Sequence, residues 1–164
     1  MLEKLPSNNS IFIDSNIFIY HFLGISEPCT NFLEKVELGY SDGYTSTVVL
    51  AEVLHRLMIA ETVEIFNIEP KKAVKYLKQK PELIPKLEKC EIAINEITEF
   101  KVKILTVTVE AIFQSRALRK EFGLMTNDSL NLQVMKINDL NDIATNDSDF
   151  SRVEWLKVWN PEPI

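Results

Sequence analysis

Glycine, histidine and cysteine are scarce in this chain of 164 residues, which has four Gly, two His and two Cys. No two of Gly24, Gly39, Gly43 and Gly123 fit a Walker A loop, a G-x-G-x-x-G turn or a G-x-S-x-G elbow. Glycine-rich phosphate loops and the hydrolase nucleophile elbow are therefore excluded. His21, His55, Cys29 and Cys90 lack the paired spacing of a zinc site. Two cysteines read as buried, reduced thiols rather than a disulfide framework, so a cytoplasmic protein is expected. The opening MLEKLPSNNS lacks the basic-then-apolar order of a secretory signal. The longest apolar stretch, 11–23, is too short to span a bilayer and contains Asp14 and Asn16, so no membrane association is expected. A basic excess is also missing. Lys plus Arg is 18 against 24 Asp plus Glu, a formal charge of -6. That excludes a globally basic nucleic-acid coat but leaves room for a local basic patch.

What is present suits one globular domain. The length is close to a single domain's, and 46% hydrophobic with 26% charged residues is ordinary globular usage. The apolar run 11–13 reads as a buried strand, followed by helices over 16–23 and 28–38 that stop at Gly24 and Gly39. A strand is expected over 44–47 and helices over 48–60 and 71–79. A further helix starts near Pro85, with Leu87, Cys90, Ile94 and Ile97 on its apolar face. A strand over 103–107, a helix over 108–122 closed by Gly123, and a helix over 126–137 with Leu130, Val134 and Ile137 inward come next. Strands over 142–145 and 155–159 complete the pattern. Short strands alternating with helices imply a parallel sheet covered on both faces. Residues 61–103 read as a helical arm or insertion within a single domain.

Open parallel sheets place functional groups at the carboxyl ends of their strands. Four acids follow strands or open helices there: Asp14, Glu52, Asp128 and Asp147. Like charges brought together repel unless a proton or cation offsets them, and hard divalent cations such as Mg²⁺ and Mn²⁺ take oxygen ligands. Taken singly, Asp14 and Asp128 read as helix caps, and Asp147 and Asp149 as turn formers. Glu52 alone reads as a solvated residue or as half of a helical pair with Arg56. The joint pattern is what points to a metal site.

The same residues carry a family resemblance. Phe12-Ile13-Asp14-Ser15-Asn16-Ile17-Phe18-Ile19-Tyr20 resembles the opening motif of PIN-domain endoribonucleases, which include the VapC-type toxins. The string 45–53, with Ser46 and Glu52, resembles their second motif; 124–130, with Asp128, the third; and 143–150, with Thr145, Asp147 and Asp149, the fourth. The resemblance covers the N-terminal and C-terminal thirds in order, and 61–103 matches no part of it. It implies a three-layer α/β/α fold with a central parallel sheet. It further implies a Mg²⁺- or Mn²⁺-dependent endoribonuclease in which Asp14, Glu52, Asp128 and Asp147 are the catalytic, metal-binding acids. Asn16, Ser46 and Thr145 would bond those carboxylates or the substrate phosphate, and Asp149 would add an outer acid. A protein antitoxin and homodimerisation are implied too, with helices 18–23 and 32–38 expected to supply the apolar dimer surface. The alternative within the family is a PIN-like RNA-binding or assembly module without activity. A phosphohydrolase of the haloacid dehalogenase type needs Asp-x-Asp after the first strand, and this chain has Asp14-Ser15-Asn16.

Between residues 71 and 89 stand seven Lys against Glu82 and Glu88, a local balance of +5. Lys71, Lys75 and Lys78 fall on one helix face and are candidate RNA-binding residues, a solvated lysine face being the other reading. His55, one turn from Glu52, reads as a surface imidazole rather than a further ligand. Trp155 and Trp159 read as core or dimer contacts on one strand face.

Overall fold

The computed structural model describes residues 1–161. Five strands form one parallel sheet: β1 (Asn9–Ile13), β2 (Ser41–Ser46), β3 (Lys103–Leu105), β4 (Asp142–Ala144) and β5 (Lys157–Trp159), in the order β3-β2-β1-β4-β5. Seven α-helices flank it: α1 (Ser15–Phe22), α2 (Glu27–Glu37), α3 (Thr47–Phe66), α4 (Pro70–Gln79), α5 (Lys89–Glu99), α6 (Val109–Phe122) and α7 (Thr126–Ile137). This is the three-layer α/β/α arrangement expected from the sequence. Ile11, Phe12 and Ile13 of the central strand are fully buried, as a strand covered on both faces requires. Connections run β1 to β2 to β3 outward on one side, and β4 then returns to pair with β1 on the other. The gap between the ends of β1 and β4 is thus the switch point, where open α/β sheets bind ligands.

Several boundaries differ from the sequence reading, each for a tertiary reason. β2 begins at Ser41, not residue 44. Ser41, Asp42 and Gly43 are poor strand formers, but they pair in register with Asn9, Ser10 and Ile11. Gly43 also admits a close neighbour, since a Cβ there would lie 2.7 Å from Val36 Cγ1. α3 runs on past residue 60 to Phe66 and ends at Asn67 in the left-handed region, φ 48°. Pro85 lies in a 3₁₀ segment, Pro81–Lys86, and α5 starts only at Lys89. Its first amides are capped from another helix: the buried Glu61 accepts from Lys89 N and Cys90 N, both at 3.0 Å. Segment 61–103 begins inside α3. Its Leu77, Leu87, Cys90, Ala93 and Ile97 join the same hydrophobic cluster as β1.

Ile137 points outward, 56% exposed, whereas Leu130 and Val134 are buried. Trp155 stands in the turn before β5, not on the strand, because the ladder starts at Lys157 N, which donates to Asn141 O. Trp159 is buried and donates Nε1 to Asp142 Oδ1 at 2.6 Å. The apolar surface expected on the early helices is mostly interior. Phe18, Phe32, Leu33 and Val36 are all buried, and only the end residues Leu23 and Leu38 are exposed.

Candidate metal centre

The acids arrive from four elements at the carboxyl edge of the sheet. Asp14 directly follows β1 and caps α1, Oδ1 accepting from Ser15 N at 2.7 Å. Glu52 lies in the first two turns of α3. Asp128 lies in the first turn of α7. Asp147 follows β4 and caps the 3₁₀ turn Ser148–Arg152, accepting from Asp149 N at 2.8 Å. The cap reading of Asp14 and the turn reading of Asp147 are therefore correct as local structure, whereas the cap reading of Asp128 is not: Met125 stands at the N-cap of α7, and no side chain caps that helix. One oxygen each of Asp14 and Asp147 does that local work.

The switch point is stitched by one hydroxyl. Thr145 Oγ1 donates to Asp14 Oδ2 at 2.6 Å and accepts from Asp147 N at 3.0 Å. Asn16 Nδ2 donates to Asp14 Oδ2 at 2.7 Å and to Thr145 Oγ1 at 3.0 Å, and Asn16 Oδ1 accepts from Asn146 N at 2.9 Å. Asn16 and Thr145 thus sit on Asp14. Ser46 does not: its hydroxyl caps α3 by accepting from Val49 N and donates to Asn131 Oδ1 at 2.7 Å. Its place at a strand-to-helix junction gives it a capping task, and Asn131 on α7 accepts its hydroxyl hydrogen bond. Two further residues, which sequence reasoning misses, tie α7 to this edge. Asn127 Nδ2 donates to Glu52 Oε2 at 3.3 Å, and Asn131, 1% exposed, receives Ser46. Asn127 has a sequence signal, its place beside Asp128. Asn131 has the weaker one of being a polar residue on the inward face of an apolar helix.

Burial is the largest influence on Asp14. It lifts the carboxyl from 3.8 to about 6 against the hydrogen bonds from Thr145 and Ser15, and the charges of Glu52 and Asp128 add to the lift. Asp128 is likewise raised to about 6, first by burial, then by Asp147, Asp149 and Glu52. These mutual effects link all four acids, and Asp149 with them, into one negative site. Among them only Asp149 has an ion-pair partner among the described residues, Arg152.

Does this donor set fit a divalent cation? All donors are carboxylate oxygens, the chemistry that Mg²⁺ and Mn²⁺ take. Among the described residues no group of three or more His, Cys, Asp or Glu stands together, as placed, in a cage that could hold a metal ion. Mg²⁺ is ordinarily held through one or two carboxylates, with waters completing the octahedron, so an open acidic site fits it without such a cage. His55 is exposed and joins no such group.

Lys71, Lys75 and Lys78 are all exposed on α4 and have no ion pair among the described residues. Ala73 and Leu77 on the opposite face are buried, and Tyr76 packs against Phe66 at 5.5 Å between ring centroids. α4 therefore docks at the far end of α3 from Glu52, roughly 20 Å along the helix axis at 1.5 Å per residue. Both cysteines are buried, and the Cys90 thiol is pushed up to about 11, mainly by burial. No helix among the described residues is long and apolar enough to cross a membrane.

The PIN domain family model matches residues 11–156. Ribonuclease VapC2 of Methanocaldococcus jannaschii is 33% identical over 150 residues, which is 92% of this chain and 93% of that protein. Ribonuclease VapC6 of the same organism is 26% identical over 161 residues, 93% of this chain and 97% of that protein. Among solved structures, VapBC2 from Rickettsia felis bound to a promoter DNA fragment superposes with a TM-score of 0.60 at 19% identity, covering 92% of this chain and 98% of that one. The sarcin-ricin loop cleaving toxin VapC20 of Mycobacterium tuberculosis superposes at 0.59 with 14% identity, covering 90% and 98%. The sheet order, the acidic switch point and these matches agree, and the chain belongs to the PIN-domain family.

Proposed function

We propose that this protein is a metal-dependent endoribonuclease, and the toxin of a toxin–antitoxin pair, held in check by a protein antitoxin in a reducing cytoplasm. The observation that carries the reading is the convergence of Asp14, Glu52, Asp128 and Asp147 at the switch point, none of them with an ion-pair partner among the described residues. The VapC2 likeness and the toxin–antitoxin neighbours support it.

Asp14, Glu52, Asp128 and Asp147 would hold Mg²⁺ or Mn²⁺. When bound, the ion supplies Lewis-acid stabilisation of the phosphoryl oxygens and makes a bound water more acidic. The rest falls to the chain's own groups. Thr145, the hydroxyl that touches Asp14, is engaged as donor and acceptor, so it orients Asp14 and is not the nucleophile. Water attacks instead, in line with the leaving oxygen, and the family resemblance implies a 5′-phosphate and a 3′-hydroxyl as products. Asn16 and Thr145 hold Asp14 in one rotamer, and Asn127 holds Glu52, so the acids are placed before RNA arrives. Incubation of single-stranded RNA with the protein and Mn²⁺ should give internal cuts that EDTA abolishes. A chain that binds RNA but neither binds Mn²⁺ nor cuts is the inactive RNA-binding module.

Lys71, Lys75 and Lys78 serve in this reading as a distal rim for the RNA strand. Changing all three to Glu should weaken RNA binding and flatten log affinity against log salt by roughly 0.7 per lost phosphate contact. Mn²⁺ affinity should stay unchanged. An unchanged salt slope retires the rim and leaves the acids untouched.

We also propose a homodimer, through a different face from the one the sequence pointed to. On α6, Val109 (62% exposed), Ile112 (48%) and Phe113 (74%) form an apolar stripe at helical spacing. Light scattering at micromolar concentration should give the mass of two chains, and Phe113→Glu the mass of one.

A further inference from the structure

A helix end leaves its last carbonyls without intrahelical partners. At the end of α6 two carbonyls have an outside donor: Arg152 Nη1 donates to Phe122 O at 3.2 Å and to Gly123 O at 2.8 Å. The other arm of the same guanidinium, Nη2, pairs with Asp149 Oδ1. The chain makes room for it at one residue. Gly123 has φ 64°, which disfavours any side chain, and a Cβ there would stand 3.2 Å from Arg152 Nη1.

The two ends of this bridge both carry acids of the centre. Gly123 and Leu124 lead into α7, whose first turn presents Asn127 to Glu52 and carries Asp128. Arg152 closes the 3₁₀ turn that Asp147 caps and that includes Asp149. Asp147 and Asp149 repel Asp128, so electrostatics alone would push these two elements apart. Arg152 bonds to both, neutralising Asp149 with one arm and gripping the α6–α7 loop with the other. Exposed ion pairs alone are worth little. The two carbonyls add charge-assisted bonds from Nη1 while Nη2 holds the ion pair, a division between two separate nitrogens that a single ammonium nitrogen does not offer.

We propose that Arg152 is a positioning residue of the metal centre, a strap between the 148–152 turn and the α6–α7 loop that sets the spacing of Asp128 from Asp147. The proposal rests on reading the four acids as that centre. Arg152→Ala should speed amide hydrogen exchange across residues 123–130 about tenfold while leaving β1 protected. It should weaken Mn²⁺ binding on the order of tenfold and lower kcat at saturating Mn²⁺ by roughly ten- to hundredfold, a scale typical of misplaced groups. KM for RNA should stay within about twofold. Arg152→Lys, which keeps the charge but not the fork, should fall between the variant and the wild type in exchange and in kcat. A merely structural residue would lower Tm and leave Mn²⁺ affinity and kcat unmoved well below it. Unchanged exchange in Arg152→Ala overturns the strap. Faster exchange with wild-type Mn²⁺ affinity and kcat overturns the positioning role. A wild-type chain that binds no Mn²⁺ overturns the reading of the acids and this proposal with it, while the exchange data still decide whether the strap exists.

Discussion

Asp14→Asn, Glu52→Gln and Asp147→Asn are each expected to lower Mn²⁺-dependent RNA cleavage by at least about 100-fold, the scale seen when one preorganised charge-stabilising group is lost. The substitutions are close to isosteric, so the loss is one of charge and ligand oxygen rather than of packing. Asp14 is the most informative. Its Oδ1 bond from Ser15 N can survive as an amide carbonyl, whereas Oδ2 accepts from both Asn16 and Thr145 and an amide nitrogen cannot. Circular dichroism should report a folded protein in each case. Single-turnover cleavage with Mn²⁺ in excess is the measurement, and full activity in Asp14→Asn would sink the assignment of the site.

The second large effect is on stability without metal. Asp14 has its carboxyl raised from 3.8 to about 6 in the folded chain, so between those values the folded state binds the proton that the unfolded state releases. Stability is then highest below about pH 4 as far as this group is concerned, and is lost as pH rises toward 6 and beyond. A rise of that size is worth about 3 kcal/mol, at roughly 1.36 kcal/mol per pH unit. Asp128 acts in the same direction with a smaller effect, because it is only half-buried and water screens it. In EDTA, denaturant midpoints of the wild type should therefore fall from pH 4 to pH 7 by more than those of Asp14→Asn. The variant carries no titrating group there, so it should lose on the order of one hydrogen bond at low pH and gain at neutral pH. Parallel pH profiles for the two proteins would show that Asp14 is not a strained carboxylate.

The fold was legible where periodicity and punctuation act locally. The buried run 11–13, the glycine stops at 24 and 123 and the helix over 126–137 needed no tertiary information. The misread boundaries are those where a distant partner decides. Ser41–Gly43 become strand because β1 supplies the ladder, and α5 starts at Lys89 because Glu61 caps it from another helix. Trp155 is released from β5 because pairing begins two residues later. Among the candidate site residues, the acids stood out because carboxylates after strands follow a rule of open sheets. The partnerships did not. That Thr145 would join Asp14 to Asp147, that Ser46 would turn to Asn131, and that Arg152 would bridge two acid-bearing elements are facts of side-chain reach across the sheet edge.

The central claim is that Asp14 belongs to a centre that binds a divalent cation. Thermal unfolding at about pH 7.5, titrated with Mn²⁺ in the absence of RNA, tests it most directly, because a ligand of the folded state raises Tm by mass action. The wild type should gain Tm progressively with Mn²⁺, by about 2.7 kcal/mol of stability when the free ion is roughly a hundred times its Kd. Asp14→Asn should gain little or nothing over the same range. Equal Mn²⁺-induced shifts in the two proteins would contradict the claim.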